Sequence, residues 1–217
     1  MGQLTNRQRQ IVDHAIEMIG EGGLTALTMR RLSERLGVTE PALYRHFENK
    51  TAILAAMLTV LEAETYERIP LDANATPDAL VTHFDRLFAL LAERPALATV
   101  VFLDEFATTD PELQAMVRDL LAKNRERLAT AFAAMHAPSA TNGATPDAAA
   151  REAAAAAGAA TAGAPDPDSL ATLLLGGVRL VVREWRLDGC RWDLAERGRR
   201  LVAALTTTMK ETTGRST

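Results

Sequence analysis

Along most of this chain, apolar residues recur every three or four positions, the spacing of an α-helix with one buried face. Ile11, Val12, Ala15, Ile16 and Ile19 fall on one side of a helix predicted from about Asn6 to Ile19. Thr5 and Gln8 have the spacing of a capping box at its start, and Gly22 and Gly23 end it. Thr28 is fit to cap a second helix, which must be short because Gly37 stands just past Leu36. Leu32 and Leu36 form its inner face. Thr39 then caps a third helix of about seven residues, with Pro41 in the first turn, where a missing N–H costs nothing. Leu43 and Phe47, four apart, point inward, so Glu40, Tyr44 and Arg45 point elsewhere.

The same period continues to the end of the chain. Asn49 caps a long helix over about Lys50–Arg68, with Ile53, Leu54, Met57, Leu58 and Leu61 on its apolar face. A break around Pro70 and Asn74–Pro77 precedes a helix over about Asp78–Glu93. Pro95 restarts the chain, and Asp110-Pro111 opens a helix to about Met135 carrying Leu113, Met116, Leu120, Leu121, Leu128 and Phe132. Residues 137–167 differ: fifteen of the 31 are alanine and four are proline, a composition that buries little area per residue. They are expected to form a mobile loop, with a transient helix around Asp147–Ala157. Helices over about Asp168–Leu187 and Trp192–Glu211 close the chain. No strand alternation and no fixed-period repeat occurs. The expected fold is all-α: an N-terminal three-helix head over residues 1–50 and a larger helical body over 51–217.

Charge then refines the picture. The net charge of −4 is mildly at odds with a nucleic-acid partner, but it is unevenly spread. Residues 1–50 hold seven Lys/Arg against six Asp/Glu, and the remainder holds 17 against 22. Affinity for DNA depends on the surface that meets phosphate, so the total is a poor veto. Cys190 is the single cysteine, which excludes a disulfide framework. The N-terminus lacks an apolar signal core, and no apolar run reaches the ~18 residues of a membrane span. A soluble, cytoplasmic protein is expected, with no membrane partner.

Two short helices joined at Gly37 describe a helix-turn-helix. Packing both inner faces on the first helix fixes their angle, and the third helix is short enough to enter a major groove about 12 Å wide. The residues that build this unit, from Leu24 through Thr28-Met-Arg-Arg-Leu-Ser-Glu-Arg-Leu-Gly-Val-Thr-Glu-Pro-Ala-Leu-Tyr-Arg-His-Phe47 to Lys50, resemble the DNA-binding signature of the TetR family of bacterial transcriptional regulators. Leu43-Tyr-x-His-Phe-x-x-Lys50 is the most specific part. The close resemblance covers about residues 7–61; beyond it only the helical layout is similar.

The resemblance implies roles. Thr39, Tyr44 and Lys50 correspond to phosphate anchors, with His46 a fourth. Glu40, Pro41 and Ala42 correspond to positions that face base edges, and Arg30 to one that reaches a base or a phosphate. Glu40 departs from the polar or basic residue common there: its carboxylate can accept from cytosine N4, or turn to solvent and repel phosphate. Arg45 is a further contact candidate, against the plain alternative of a solvated charge.

The resemblance also implies a small-molecule cavity between about residues 50 and 136. Met57, Leu61, Tyr66, Phe84, Phe88, Phe102, Phe106 and Met116 are candidate lining residues, although apolar side chains at helical spacing are more often plain core. Tyr66, His83, Asp104 and Glu105 are the polar candidates. Residues 50–68 hold no histidine, so a tetracycline ligand is not supported. The last two helices correspond to a homodimerisation element, with Leu173, Leu174, Gly177, Val181, Trp185, Leu201 and Leu205 as its candidates. The function implied is a repressor that binds a palindromic operator as a dimer and is released by a ligand. An activator, or a DNA-binding protein of the same fold without ligand response, is the alternative. No nucleophile motif, phosphate loop or metal-ligand spacing occurs, so no catalysis, cofactor or metal is expected.

Overall fold

The computed structural model describes residues 4–69, 71, 76–101, 110–136 and 166–214. These residues form helices and turns with no strand among them. Helix α1 is Asn6–Gly22, α2 Met29–Leu36, α3 Glu40–Tyr44 and α4 Lys50–Glu62; α5 is Pro77–Glu93, α6 Pro95–Val101, α7 Pro111–His136, α8 Pro167–Leu187 and α9 Leu194–Gly214. Three of the four expected side-chain caps are present, and Thr39 at the start of α3 makes none. Thr5 and Gln8 close a reciprocal capping box on α1, Thr28 accepts from the Arg31 N–H, and Asn49 from the Ala52 N–H. Gly37 takes the left-handed conformation, φ 65°, that ends α2 and turns the chain into α3.

Three of the boundaries that differ from the sequence-based expectation have a local cause. Helix α3 is five residues long instead of seven, because the backbone already turns at Arg45. The helix expected to run to Arg68 stays α-helical only to Glu62, then widens into a π turn over Ala63–Glu67. That wider turn lets Glu64 and Thr65 both sit at 5% exposure, side by side in sequence. Helix α9 starts at Leu194 instead of Trp192, because the Asp193 carboxylate caps it by accepting from the Glu196 N–H at 3.0 Å. The loop expected over 137–167 lies outside the described residues up to position 165, as does the transient helix. Asp166 and Pro167 belong instead to the start of α8, where the Asp166 carboxylate accepts from the Ser169 N–H at 2.9 Å.

One continuous apolar core runs from the first helix to the last. In the body, α8 lies along α7, α9 lies along α5, and α4 crosses α7. Phe88 is fully buried where α5 meets α9, and a Cβ at Gly198 would stand inside its ring. Helix α1 belongs to both halves. One side packs on α2 and α4; the other lies against α6 so closely that a Cβ at Gly20 would come within 2.5 Å of the Ala96 Cβ. Arg186 of α8 donates to the Gly20 carbonyl at 3.2 Å. The first helix is thus clasped by the body, and any movement of α6 or α8 is felt in it.

Candidate functional site

The N-terminal unit turns its apolar side chains inward and its polar ones out. Leu32 and Leu43 are at 0% and 1% exposure, packed with Ile16, Ile19, Leu27 and Phe47. Polar ties set the helix angles. The Arg35 guanidinium forks onto both oxygens of Glu21 at 2.7 Å, holding α2 to α1. Gln8 of α1 donates to the His46 carbonyl at 3.2 Å, fixing the end of α3.

What remains on the outside is a compact polar set. Tyr44 is 47% exposed, so about half of its ring and hydroxyl meets water. Arg45, His46, Thr39 and Pro41 are exposed beside it; Glu40 and Ala42 are partly buried. The Thr39 side chain makes no capping bond to α3. Arg30 is exposed and pairs with Glu34 at 3.0 Å, with Glu40 close enough to act on it electrostatically. Lys50 stands apart: it is partly buried and its ammonium donates to the Leu24 carbonyl at 3.0 Å. Burial holds its pKa below the ordinary lysine value. Arg31, exposed on the turn that carries Arg30, was not among the sequence candidates.

The body contains a cavity of about 280 Å³ lined by Thr65, Tyr66, Ile69, Leu71, His83, Phe84, Leu87, Leu91, Asn124, Arg127, Leu128, Leu175 and Val178. It is bounded by the π turn, α5, α7 and α8. Of the sequence candidates, Tyr66 and Phe84 line it, and so does His83, whose ring meets Phe84 edge-on at 5.1 Å. Met57, Leu61 and Phe88 are corrected to closed core, at 0%, 3% and 0% exposure, because neighbouring helices cover them completely. Met116 is partly buried against the core and is not on the cavity wall. Phe102, Phe106, Asp104 and Glu105 lie outside the described residues.

Asn124, Arg127 and Thr65 were missed. Asn124 carried a signal: it stands four residues from Leu120 and four from Leu128, a polar break in an apolar stripe. It is 5% exposed and donates from its amide nitrogen to the Tyr66 hydroxyl. Its Oδ1 is buried without a partner. The Arg127 guanidinium lies over the Tyr66 ring, 5.2 Å from its centroid. Burial pushes the Tyr66 pKa up to about 12, so the phenol stays neutral.

Beside Tyr66 in the same π turn, Glu64 faces away from the cavity toward α1. Its carboxylate accepts from Arg9 of α1 and from Arg68, each at 2.5 Å, and Arg94 lies 3.9 Å away. Arg94 also reaches Asp13 of α1 at 3.2 Å. Burial pushes the Glu64 pKa up, but the bonds from Arg9 and Arg68 outweigh it and leave the value below 4.5. The cavity wall and the first helix are therefore joined through one carboxylate.

On α8 the dimer candidates divide. Leu173 is 62% exposed, in line with Leu180 at 57% and Leu187 at 79%, each seven residues from the next. Leu174, Val181 and Trp185 are corrected to the protomer's own core, at 0%, 9% and 3% exposure; the Trp185 indole donates to the Trp192 carbonyl at 3.0 Å. Gly177 lies under Leu201, and Leu201 and Leu205 are partly buried. Among the described residues, no group of three or more His, Cys, Asp or Glu side chains could hold a metal, and no helix is long and apolar enough to cross a membrane.

Residues 11–57 match the family described as bacterial regulatory proteins, tetR family. Tetracycline repressor protein class A from transposon 1721 of Escherichia coli is 45% identical over 56 residues, which are 26% of this chain and 26% of the repressor. The chain thus aligns with about a quarter of the length of that relative. Over nearly the whole chain the similarity is one of fold. The fatty acid degradation regulator FadR from Bacillus halodurans superposes with a TM-score of 0.73 at 20% identity, covering 94% of this chain and 97% of that one. FadR from Bacillus subtilis in complex with stearoyl-CoA gives 0.67 at 21%, covering 91% and 97%.

Proposed function

We propose, from the match of residues 11–57 to the bacterial regulatory proteins of the tetR family, that the chain is a ligand-responsive transcriptional repressor acting as a homodimer on a palindromic operator. The observation that carries the reading is the outward set on and after α3. Tyr44 and Thr39 present hydroxyls, and Arg45 and His46 present further donors, on a unit whose large apolar side chains are otherwise turned inward. In this reading Thr39, Tyr44 and His46 hold phosphates, while Glu40, Pro41 and Ala42 face base edges. Arg30 and Arg45 supply charge, and Lys50 braces the turn at Leu24 while its charge adds to the local field.

Dimerisation supplies the second head. The Leu173–Leu180–Leu187 line on α8 is a heptad-spaced apolar seam that a monomer would leave in water. Against a second copy it forms the centre of a four-helix arrangement with α9, with the exposed Gly176 permitting close approach. Two heads about 34–36 Å apart then meet successive major grooves.

Release follows from the π turn. Tyr66 and Thr65 face the cavity, and Glu64, their neighbour, holds Arg9 of α1. A ligand that fits a shifted turn moves that carboxylate, and the clasped first helix turns with it. Such a ligand draws the dimer toward a spacing at which both heads no longer reach their grooves. The bound stearoyl-CoA in the Bacillus subtilis relative supports a small-molecule effector as the general mode. The test is selection of bound duplexes from random fragments, followed by footprinting. Protection of one palindrome with half-sites about one helical turn apart is expected; even coverage of all sequences would overturn the reading in favour of a non-regulatory DNA-binding protein.

A further inference from the structure

The cavity wall is mainly apolar. Leu87, Leu91, Leu128, Leu175, Val178 and Phe84 offer no hydrogen bonds. Its polar members are His83 on α5, Thr65 and Tyr66 on the π turn, and Asn124 and Arg127 on α7, which stand three residues apart and so share a face. Asn124 has one end of its amide on the Tyr66 hydroxyl and the other end bare in a buried place. Whichever way round the amide is placed, one end lacks a partner, and a bare buried polar atom is a cost that a bound molecule can remove. Arg127 is the one permanently charged residue on the wall. Its face lies over Tyr66, which leaves its N–H edges to meet something else. Among the described residues no carboxylate pairs with it. The nearby Lys123, by contrast, is held by Asp119 at 2.8 Å and Glu62 at 3.4 Å.

We propose that the cavity takes a compact, mainly apolar carboxylic acid that carries a hydroxyl or N–H group: the ionised carboxylate lies on the edge of Arg127, and the donor meets the bare oxygen of Asn124. A guanidinium edge matches a carboxylate with two parallel bonds. Arg127 is exposed at the edge of the cavity and brings one positive charge, which a single ionised carboxylate matches. A volume of about 280 Å³ is at the small end of ligand sites, which run from ~300 to 1,000 Å³, and selects one ring or a short chain. The proposal names the ligand class for the effector cavity and rests on that assignment.

The test is calorimetric titration of the full-length protein with three probes: para-hydroxyphenylpropanoate, phenylpropanoate, and the methyl ester of the first. The hydroxy acid binds saturably, about tenfold tighter than its ester and severalfold tighter than the compound without the hydroxyl. Arg127→Gln abolishes the preference for acid over ester and leaves the hydroxyl preference. Asn124→Leu abolishes the hydroxyl preference and leaves that for the acid; Asn124→Ala replaces it if the leucine does not fold. Equal binding of acid and ester, a hydroxyl preference that survives loss of the amide, or no saturable binding of the acid overturns the proposal. Operator binding is read on the same samples. An acid that fails to bind removes the ligand class and leaves the DNA-binding reading intact. An acid that binds without changing operator affinity removes the switch and leaves the ligand class.

Discussion

The head and the body solve opposite problems with similar helices. Residues 4–50 close their apolar side chains inward and hold their chemistry outside, on Thr39, Tyr44, Arg45 and His46. The body keeps its chemistry inside, on Asn124 and Tyr66 against the cavity and on Glu64 beneath it. A recognition surface for a long polyanion needs solvent-facing donors and a stiff core behind them. A site for a small molecule needs the reverse: a dry interior and few polar groups, each left incomplete until the ligand arrives. The two are joined by α1, which shares one face with each. A change inside the body can therefore reach the outer surface of the head.

The largest effect is expected where the body controls the number of heads. Leu173→Glu with Leu180→Glu places charges on the exposed seam without touching the protomer core. Sedimentation should report monomers, and operator affinity should fall on the order of 10²–10⁴-fold with the loss of the second head. An intact dimer after both substitutions would break the assignment of that seam.

Next in size is the outward set itself. Tyr44→Ala with His46→Ala should weaken operator binding by tenfold or more, while leaving thermal stability and cavity binding unchanged. Unchanged affinity would mean that these side chains are ordinary surface.

The joint between the regions should give a smaller, pH-dependent effect. The Glu64 carboxylate has a folded pKa below its ordinary value of 4.5. Its contribution is present above that ordinary value and is lost as pH falls from 4.5 through the folded value. Urea denaturation from pH 7 to 3 should show this loss in the wild type. Glu64→Gln should lack that part of the pH dependence and be less stable at pH 7 by about 1–3 kcal/mol. A variant with the wild-type pH profile would show that the carboxylate does not bind the first helix to the body.

The smallest effect sharpens the comparison. Tyr44→Phe removes one hydroxyl from an exposed ring and should cost a fewfold in operator affinity with no change in folding. A loss as large as that of Tyr44→Ala alone would place the whole contribution in the hydroxyl, and no loss would place it in the ring.

The two regions were unequally legible in the sequence. The head was readable because its determinants are local: Thr28, Gly37, Leu43 and Phe47 fix cap, turn and core within twenty residues. The helices of the body were also readable from their period. The cavity was not, because its wall brings together residues far apart in sequence, Tyr66 with Asn124 and Leu175. Periodicity says that Met57, Leu61 and Phe88 face inward, but not whether another side chain or a void faces them. The inner and outer edges of α8 were confused for the same reason: Leu173 and Leu174 are adjacent and equally apolar, and only the position of α7 decides which one remains outside. Lys50 shows the limit of a motif, since its ammonium is engaged by the Leu24 carbonyl within the head.

Analytical ultracentrifugation of the protein with a fluorescent operator recovered by selection tests the central claim most directly. Two protomers should occupy each palindrome cooperatively, and a single half-site should bind far more weakly. One protomer per palindrome, or equal affinity for whole and half sites, would contradict it.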